Sequence, residues 1–195
     1  MINTIKNLIG NYQILFICKT GSQIFCDNCN DKDYLVVVKD FEYAYKKFNK
    51  DNVDYFCYSL AEFNKLARME LNDQRDVYAV ELLLNDVVYG ENPIYKYDWF
   101  DYQKRAIEVA LKRGETGPFN PRVRHIKGGC SKQMVWQLAI YFAIKNQSTL
   151  FTAEQRELLQ KCHDGELPIS YAEELKNNLE ALIKGDNTHN ETASI

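Results

Sequence analysis

Apolar and polar positions follow two regimes along this chain. Up to about residue 97, short apolar runs are punctuated by turn residues, whereas from Asp98 onward apolar positions recur at helical spacing. Ile2, Ile5, Leu8 and Ile9 predict a short helix stopped by Gly10. Ile14 to Lys19 reads as a strand buried on both faces and ended by Gly21-Ser22. Leu35 to Val38, short and β-branched, predicts a second strand, and Val53 to Tyr58 a third. Between these two, Phe41 to Phe48 predicts a helix with Phe41, Ala44, Tyr45 and Phe48 on one side. Ser59, with Glu62 three positions on, marks a capping box for a helix running to about Leu71. Asp76 to Leu84 suits a helix by the spacing of Val77, Val80, Leu83 and Leu84, and a strand by its composition. Val87 to Tyr97, with Gly90 and Pro93, predicts a loop or sheet edge.

In the second half, Trp99, Tyr102, Ala106 and Val109 share a helical stripe that stops before Gly114. Residues 114 to 129 hold the densest run of Gly and Pro and predict a linker or functional loop. Ser131 to Asn146 is a helix with Met134, Leu138, Tyr141 and Phe142 on one side. Thr152 with Gln155 caps the next, and Leu175, Leu179 and Leu182 mark a last one after Ser170. The predicted fold class is α+β: a small mixed β-sheet with flanking helices over 1–97, a C-terminal helical subdomain over 98–185, and a polar, flexible tail over 186–195.

Composition narrows the function classes. Hydrophobic residues make up 46% and aromatics 13%, which is a globular composition rather than a disordered one. With 24 Lys plus Arg against 27 Asp plus Glu, the net charge of -3 lacks the basic signature of a polyanion binder, and binding of nucleic acid without chemistry is disfavoured. No apolar run reaches the roughly 18 to 20 residues that span a bilayer. No long apolar segment follows Lys6, so the six cysteines predict reduced thiols in a soluble, cytoplasmic protein. Cys26-x-x-Cys29 lacks a second pair at zinc spacing, and His125, His163 and His189 are scattered.

The candidate chemistry lies between residues 21 and 54. Asp31 and Asp33 stand two apart at the mouth of a strand and project from one face. Two such carboxylates repel unless a cation lies between them, and their hard oxygens suit Mg²⁺ bridging to substrate phosphates. Alone, the pair reads also as a solvated turn. Gly21-Ser22 can present backbone N–H groups to an anion. Asp54, within an apolar strand, carries a desolvation cost unless paired or metal-bound.

Here the sequence resembles the nucleotidyltransferase superfamily related to DNA polymerase β, whose signature is an apolar strand, Gly-Ser, a loop and Asp-x-Asp. Gly21-Ser22, eight residues and Asp31-Lys32-Asp33 match it, and Val53-Asp54 fits the slot of the third metal carboxylate. Tyr58 to Phe63, Val80-Glu81-Leu82-Leu83 and the helical tail are similar to a branch found in bacteria and phages. The resemblance favours a strand ending near Glu81. It departs from the pattern at Lys32, where an apolar residue is usual, and at Gln23-Ile24-Phe25, where a second small residue follows Gly-Ser.

The resemblance implies an Mg²⁺-dependent enzyme. Asp31 and Asp33 would hold one ion on the nucleotide phosphates, and Asp31, Asp33 and Asp54 a second that activates the acceptor hydroxyl, with Mn²⁺ able to substitute. Asp54 doubles as general base, and Gly21 and Ser22 grip the outer phosphates. Attack on the α-phosphate releases pyrophosphate. Lys132, with Lys127, follows the Gly-rich stretch and is a phosphate-contact candidate, although the pair reads more readily as ordinary solvated lysines. Glu81 is either a supporting carboxylate or a partner for Arg75 or Arg105. Tyr95, Tyr97, Trp99 and Phe100 lie thickly enough to contact a nucleobase. The expected partners are a nucleoside triphosphate, ATP first, and a hydroxyl acceptor such as a tRNA end, a protein side chain or a small molecule, with no membrane. The alternative is a catalytically silent nucleotide-binding or antitoxin-like module of the same fold.

Overall fold

The structure, a computed structural model, describes residues 1–24, 32–72, 75, 78–79, 82, 87–91, 99–114, 134–146 and 151–184. Five strands, β1 (Ile14–Thr20), β2 (Lys32–Val38), β3 (Tyr45–Lys50), β4 (Val53–Ser59) and β5 (Val87–Tyr89), form one sheet in the order β3-β4-β2-β1-β5. β2 and β4 run parallel, and the other neighbours are antiparallel. After β2 the chain passes beyond β4's position, lays down β3 at the edge and returns through a hairpin. Helices are α1 (Ile2–Ile9), α2 (Leu60–Ala67), α3 (Trp99–Gly114), α4 (Met134–Asn146), α5 (Ala153–His163) and α6 (Ile169–Lys184). The fold class is α+β, as the patterning predicts. No described helix is long and apolar enough to cross a membrane.

Strand alternation divides the core. Ile17, Val36, Val38, Tyr55 and Cys57 face Ile5 and Ile9 of α1. Phe16, Cys18, Leu35, Val37, Phe56 and Tyr58 face the opposite way, into a larger cluster with Phe63 and Leu66 of α2 and the buried residues of α3 to α6. The sheet is thus apolar on both faces, which explains its near-continuous hydrophobic runs.

Several expectations are corrected. Residues 41–48 form no helix: β3 begins at Tyr45 and pairs with β4. The helical reading counted four apolar positions, but Tyr45, Lys47 and Asn49 alternate against Lys46, Phe48 and Lys50. Asp51 and Asn52, at φ 55° and 60°, close a two-residue hairpin of the type whose twist suits paired strands. In the 76–84 segment, Tyr78, Ala79 and Leu82 are helical, not extended. Ala79 and Leu82, three apart, are both buried in the larger cluster, so packing takes the helical period. β5, in the segment expected to be a loop or sheet edge, takes the edge position beside β1.

α2 ends at Ala67, short of Leu71. Met69 adopts φ 54°, its N–H reaches Leu66 O at 2.8 Å, and the N–H of Glu70 reaches Lys65 O at 2.9 Å, a Schellman closure. A non-glycine residue there costs about 1–2 kcal/mol, which burial of the Met69 side chain offsets. α4 buries Val135, Gln137, Ala139 and Ile140 besides Met134 and Leu138, rather than a single stripe, because α3, α5 and α6 all pack on it. The Thr152–Gln155 capping box forms as expected, and Ser59 Oγ accepts from the N–H of Glu62 at 3.2 Å. The Gly-rich stretch 115–133 and the tail 185–195 lie outside the described residues.

Candidate functional site

Register across four strands sets one row of side chains side by side. Asn49 of β3 pairs with Asp54 of β4, Asp54 with Asp33 of β2, and Asp33 with Thr20 of β1. Paired residues leave the same face of a sheet, with neighbours about 4.8 Å apart. Two residues along each strand, the next row reads Lys47, Phe56, Leu35 and Cys18, and the row after it Tyr45, Tyr58, Val37 and Phe16. The larger core therefore ends in a band of oxygen-bearing side chains. Asp33 and Asp54 leave the same face of the sheet in this register.

The Gly21-Ser22 turn lies against this row. Gly21 has φ +75°, and a Cβ placed on it would fall 2.1 Å from Asp33 Oδ2. Only glycine lets the carboxylate come so close. Ser22 opens a single 3₁₀ turn, Ser22–Ile24, closed by Ile24 N–H to Gly21 O at 3.2 Å. Gln23 Nε2 donates to Thr20 O at 3.0 Å and also to Asp33 O. The Gln23 side chain thus ties the turn to β2. The Thr20 side chain is 1% exposed and its Oγ1 has no hydrogen-bond partner. A buried hydroxyl carries a desolvation cost until something meets it, and this one adjoins Asp33. Lys32 is exposed and pairs with Val53, which packs on the α1 side, so it leaves the face opposite Asp33.

Asp54 is held by two partners. Asn49 Nδ2 donates to its Oδ1 at 2.7 Å, and Lys47 Nζ lies 2.6 Å from its Oδ2. Burial pushes the Asp54 carboxyl up, but the hydrogen bonds from Asn49 and Lys47 outweigh it and leave the group below the usual carboxylate range. The same hydrogen bond raises Lys47, against a smaller lowering by burial, and Asp33 adds attraction. Lys47 Nζ also lies 5.1 Å from the Phe56 ring centroid. Arg75 pairs with Glu62 at 3.1 Å and sits 5.3 Å from the Tyr45 ring centroid, and Arg105 donates to Met69 O at 3.1 Å.

Of the expected site residues, Gly21, Ser22, Asp33 and Asp54 come together. Asp31, Glu81 and Lys132 lie outside the described residues, as do Lys127, Cys26, Cys29, His125, His189, Tyr95 and Tyr97. Among the described residues no three His, Cys, Asp or Glu side chains close on one point. The oxygens present, two carboxylates and a hydroxyl, are hard donors of the kind Mg²⁺ takes. Such an ion fits the donor set, provided the Lys47 ammonium leaves Asp54. The sequence reading missed Lys47, Asn49, Thr20 and Gln23. The period-two pattern over 45–50 and the Asp51-Asn52 turn were the signal for the first two.

No protein-family model matches the chain, and no curated protein matches it. Among solved structures, it is similar to a nucleotidyltransferase-like protein from Exiguobacterium sibiricum, at 11% identity and a TM-score of 0.33, over 94% of this chain and 73% of that one. A likeness this distant carries no information about chemistry.

Proposed function

We propose that the protein is an Mg²⁺-dependent nucleotidyltransferase that moves a nucleoside monophosphate from a nucleoside triphosphate to a hydroxyl acceptor. The observation that carries this reading is the row Asn49, Asp54, Asp33 and Thr20, with the Gly21-Ser22 turn closed against Asp33. Asp33 and Asp54, with Asp31 on the approach to β2, would hold the ion, which neutralises charge developing on the transferred phosphoryl group. The Gly21-Ser22 turn would contact the outer phosphates. The bond formed joins the acceptor oxygen to the α-phosphorus, the bond broken joins that phosphorus to the bridging oxygen, and pyrophosphate leaves. Asp54, ionised at neutral pH, accepts a hydrogen bond from the acceptor hydroxyl, orients it and takes its proton as the O–P bond forms, passing it on to solvent. ATP is the first donor to test, and a tRNA end, a protein or a small molecule the acceptor.

Incubation with each α-labelled NTP, Mg²⁺ and a cell extract tests the reading. Label should move to an acceptor and fall by roughly 10²–10³-fold in Asp33→Ala and in Asp54→Ala. Transfer that persists in both variants overturns the assignment. A second reading, a silent nucleotide-binding or antitoxin-like module, draws on the engagement of both Asp54 oxygens by Asn49 and Lys47. NTP binding with no transfer to any acceptor would favour it.

A further inference from the structure

Two cations have a claim on Asp54, the Lys47 ammonium and the ion its place in the row suits. Lys47 stands at 2.6 Å from Oδ2, on the same face as Asp33 and two residues from Asn49, which holds Oδ1. Its side chain is 49% exposed, whereas that of Asp54 is 24% exposed. A long stem, half in solvent, can swing away without opening the core. At the other end of the row the buried Thr20 hydroxyl has no hydrogen-bond partner, which leaves one oxygen of the row unmet beside Asp33.

We infer that Lys47 is a displaceable counter-ion: it neutralises Asp54 in the ion-free protein, and a divalent ion entering between Asp33 and Asp54 drives its ammonium onto the substrate's polyphosphate. This rests on the metal-dependent reading of the site. The ion and Lys47 then compete for one carboxylate oxygen. Once displaced, the ammonium stays on the face where the phosphates bind, because β3 fixes its stem. Lys47 is on this account a positioning residue in the free protein and a phosphate contact in the loaded one.

Mn²⁺ binding to the full chain, followed by electron paramagnetic resonance, tests the first half. Lys47→Met and Lys47→Gln remove the ammonium but keep a long side chain, and circular dichroism checks that each folds. Both should bind Mn²⁺ about fivefold more tightly than the wild type, as expected for releasing one half-exposed ion pair, whereas Lys47→Arg should not. Affinity equal to wild type in Lys47→Met and Lys47→Gln overturns the counter-ion role while leaving the metal site standing. Mn²⁺ binding that is absent, or insensitive to Asp33→Asn, overturns the metal reading and this inference together. With Mn²⁺ saturating, tripolyphosphate should bind about tenfold more weakly to Lys47→Met than to wild type. Equal affinity overturns the phosphate contact.

Discussion

Substituting Gly21 by Ala isolates the contact between the Gly-Ser turn and Asp33. The new Cβ would lie 2.1 Å from Asp33 Oδ2, 3.0 Å from Cγ and 3.1 Å from Cβ, at a backbone φ of +75°. The left-handed backbone costs a non-glycine residue about 1–2 kcal/mol. The clash is with the end of a side chain, so Asp33 can turn aside at a further cost of about 0.5–1.5 kcal/mol. Gly21→Ala should therefore cost about 2–3 kcal/mol in urea unfolding. In an Asp33→Ala background the carboxylate clash is gone and the 3.1 Å contact with the remaining Cβ needs only a small shift, so chiefly the backbone cost of about 1–2 kcal/mol remains and the pair should be less costly together than summed, by about 1 kcal/mol. Gly90→Ala makes the control: at φ +79° its Cβ meets Leu15 O at 2.3 Å and Phe16 Cα at 3.2 Å, backbone atoms of β1 that cannot turn aside. It should be the more damaging substitution, with loss of β5 pairing. Strict additivity of Gly21→Ala and Asp33→Ala, or a Gly21→Ala cost matching that of Gly90→Ala, would refute the packing argument.

Further outcomes follow from named contacts. Asp54 is held below its ordinary value of 3.8, so its stabilising contribution is present above that pH and is lost as the pH falls through the lower folded value. Lys47→Met should flatten the acid limb of a urea-midpoint profile below about pH 4, and an unchanged slope would contradict the ion pair. Tyr102→Phe removes a 2.9 Å bond from a buried hydroxyl to Ala79 O and should cost about 1 kcal/mol in the same assay. Thr152→Ala should cost a similar amount, about 1 kcal/mol, by opening the α5 capping box. Burial pushes the Cys57 thiol up to about 12, so iodoacetamide at about pH 8 should leave it unmodified until the chain unfolds. Prompt labelling would contradict a buried β4.

The sequence was legible where local period and burial agree. β1, β2 and β4 are apolar on both faces and carry clear breakers, and Asp33 and Asp54 stand at their polar ends. It was illegible where an element is amphipathic only because of its neighbours. β3 has few apolar residues, being an edge strand with Lys46, Lys47 and Lys50, so Phe41, Ala44, Tyr45 and Phe48 mimicked a helix. The helical state of Tyr78, Ala79 and Leu82 depends on a core built largely from α3 to α6, which local composition does not report. The unmet Thr20 hydroxyl has no sequence signature, since its place beside Asp33 follows from strand register.

The position of β3 has a consequence for how the sheet breathes. Asp33 and Asp54 lie on β2 and β4, each hydrogen-bonded to a strand on both sides, whereas β3 leans on β4 alone. Parting β3 from the sheet breaks a single ladder, so its amides should exchange with solvent through a lower-energy opening than those of β2, which wait for global unfolding. Asp33 on a strand enclosed on both sides and Lys47 on an edge strand give the site a fixed wall and a hinged one.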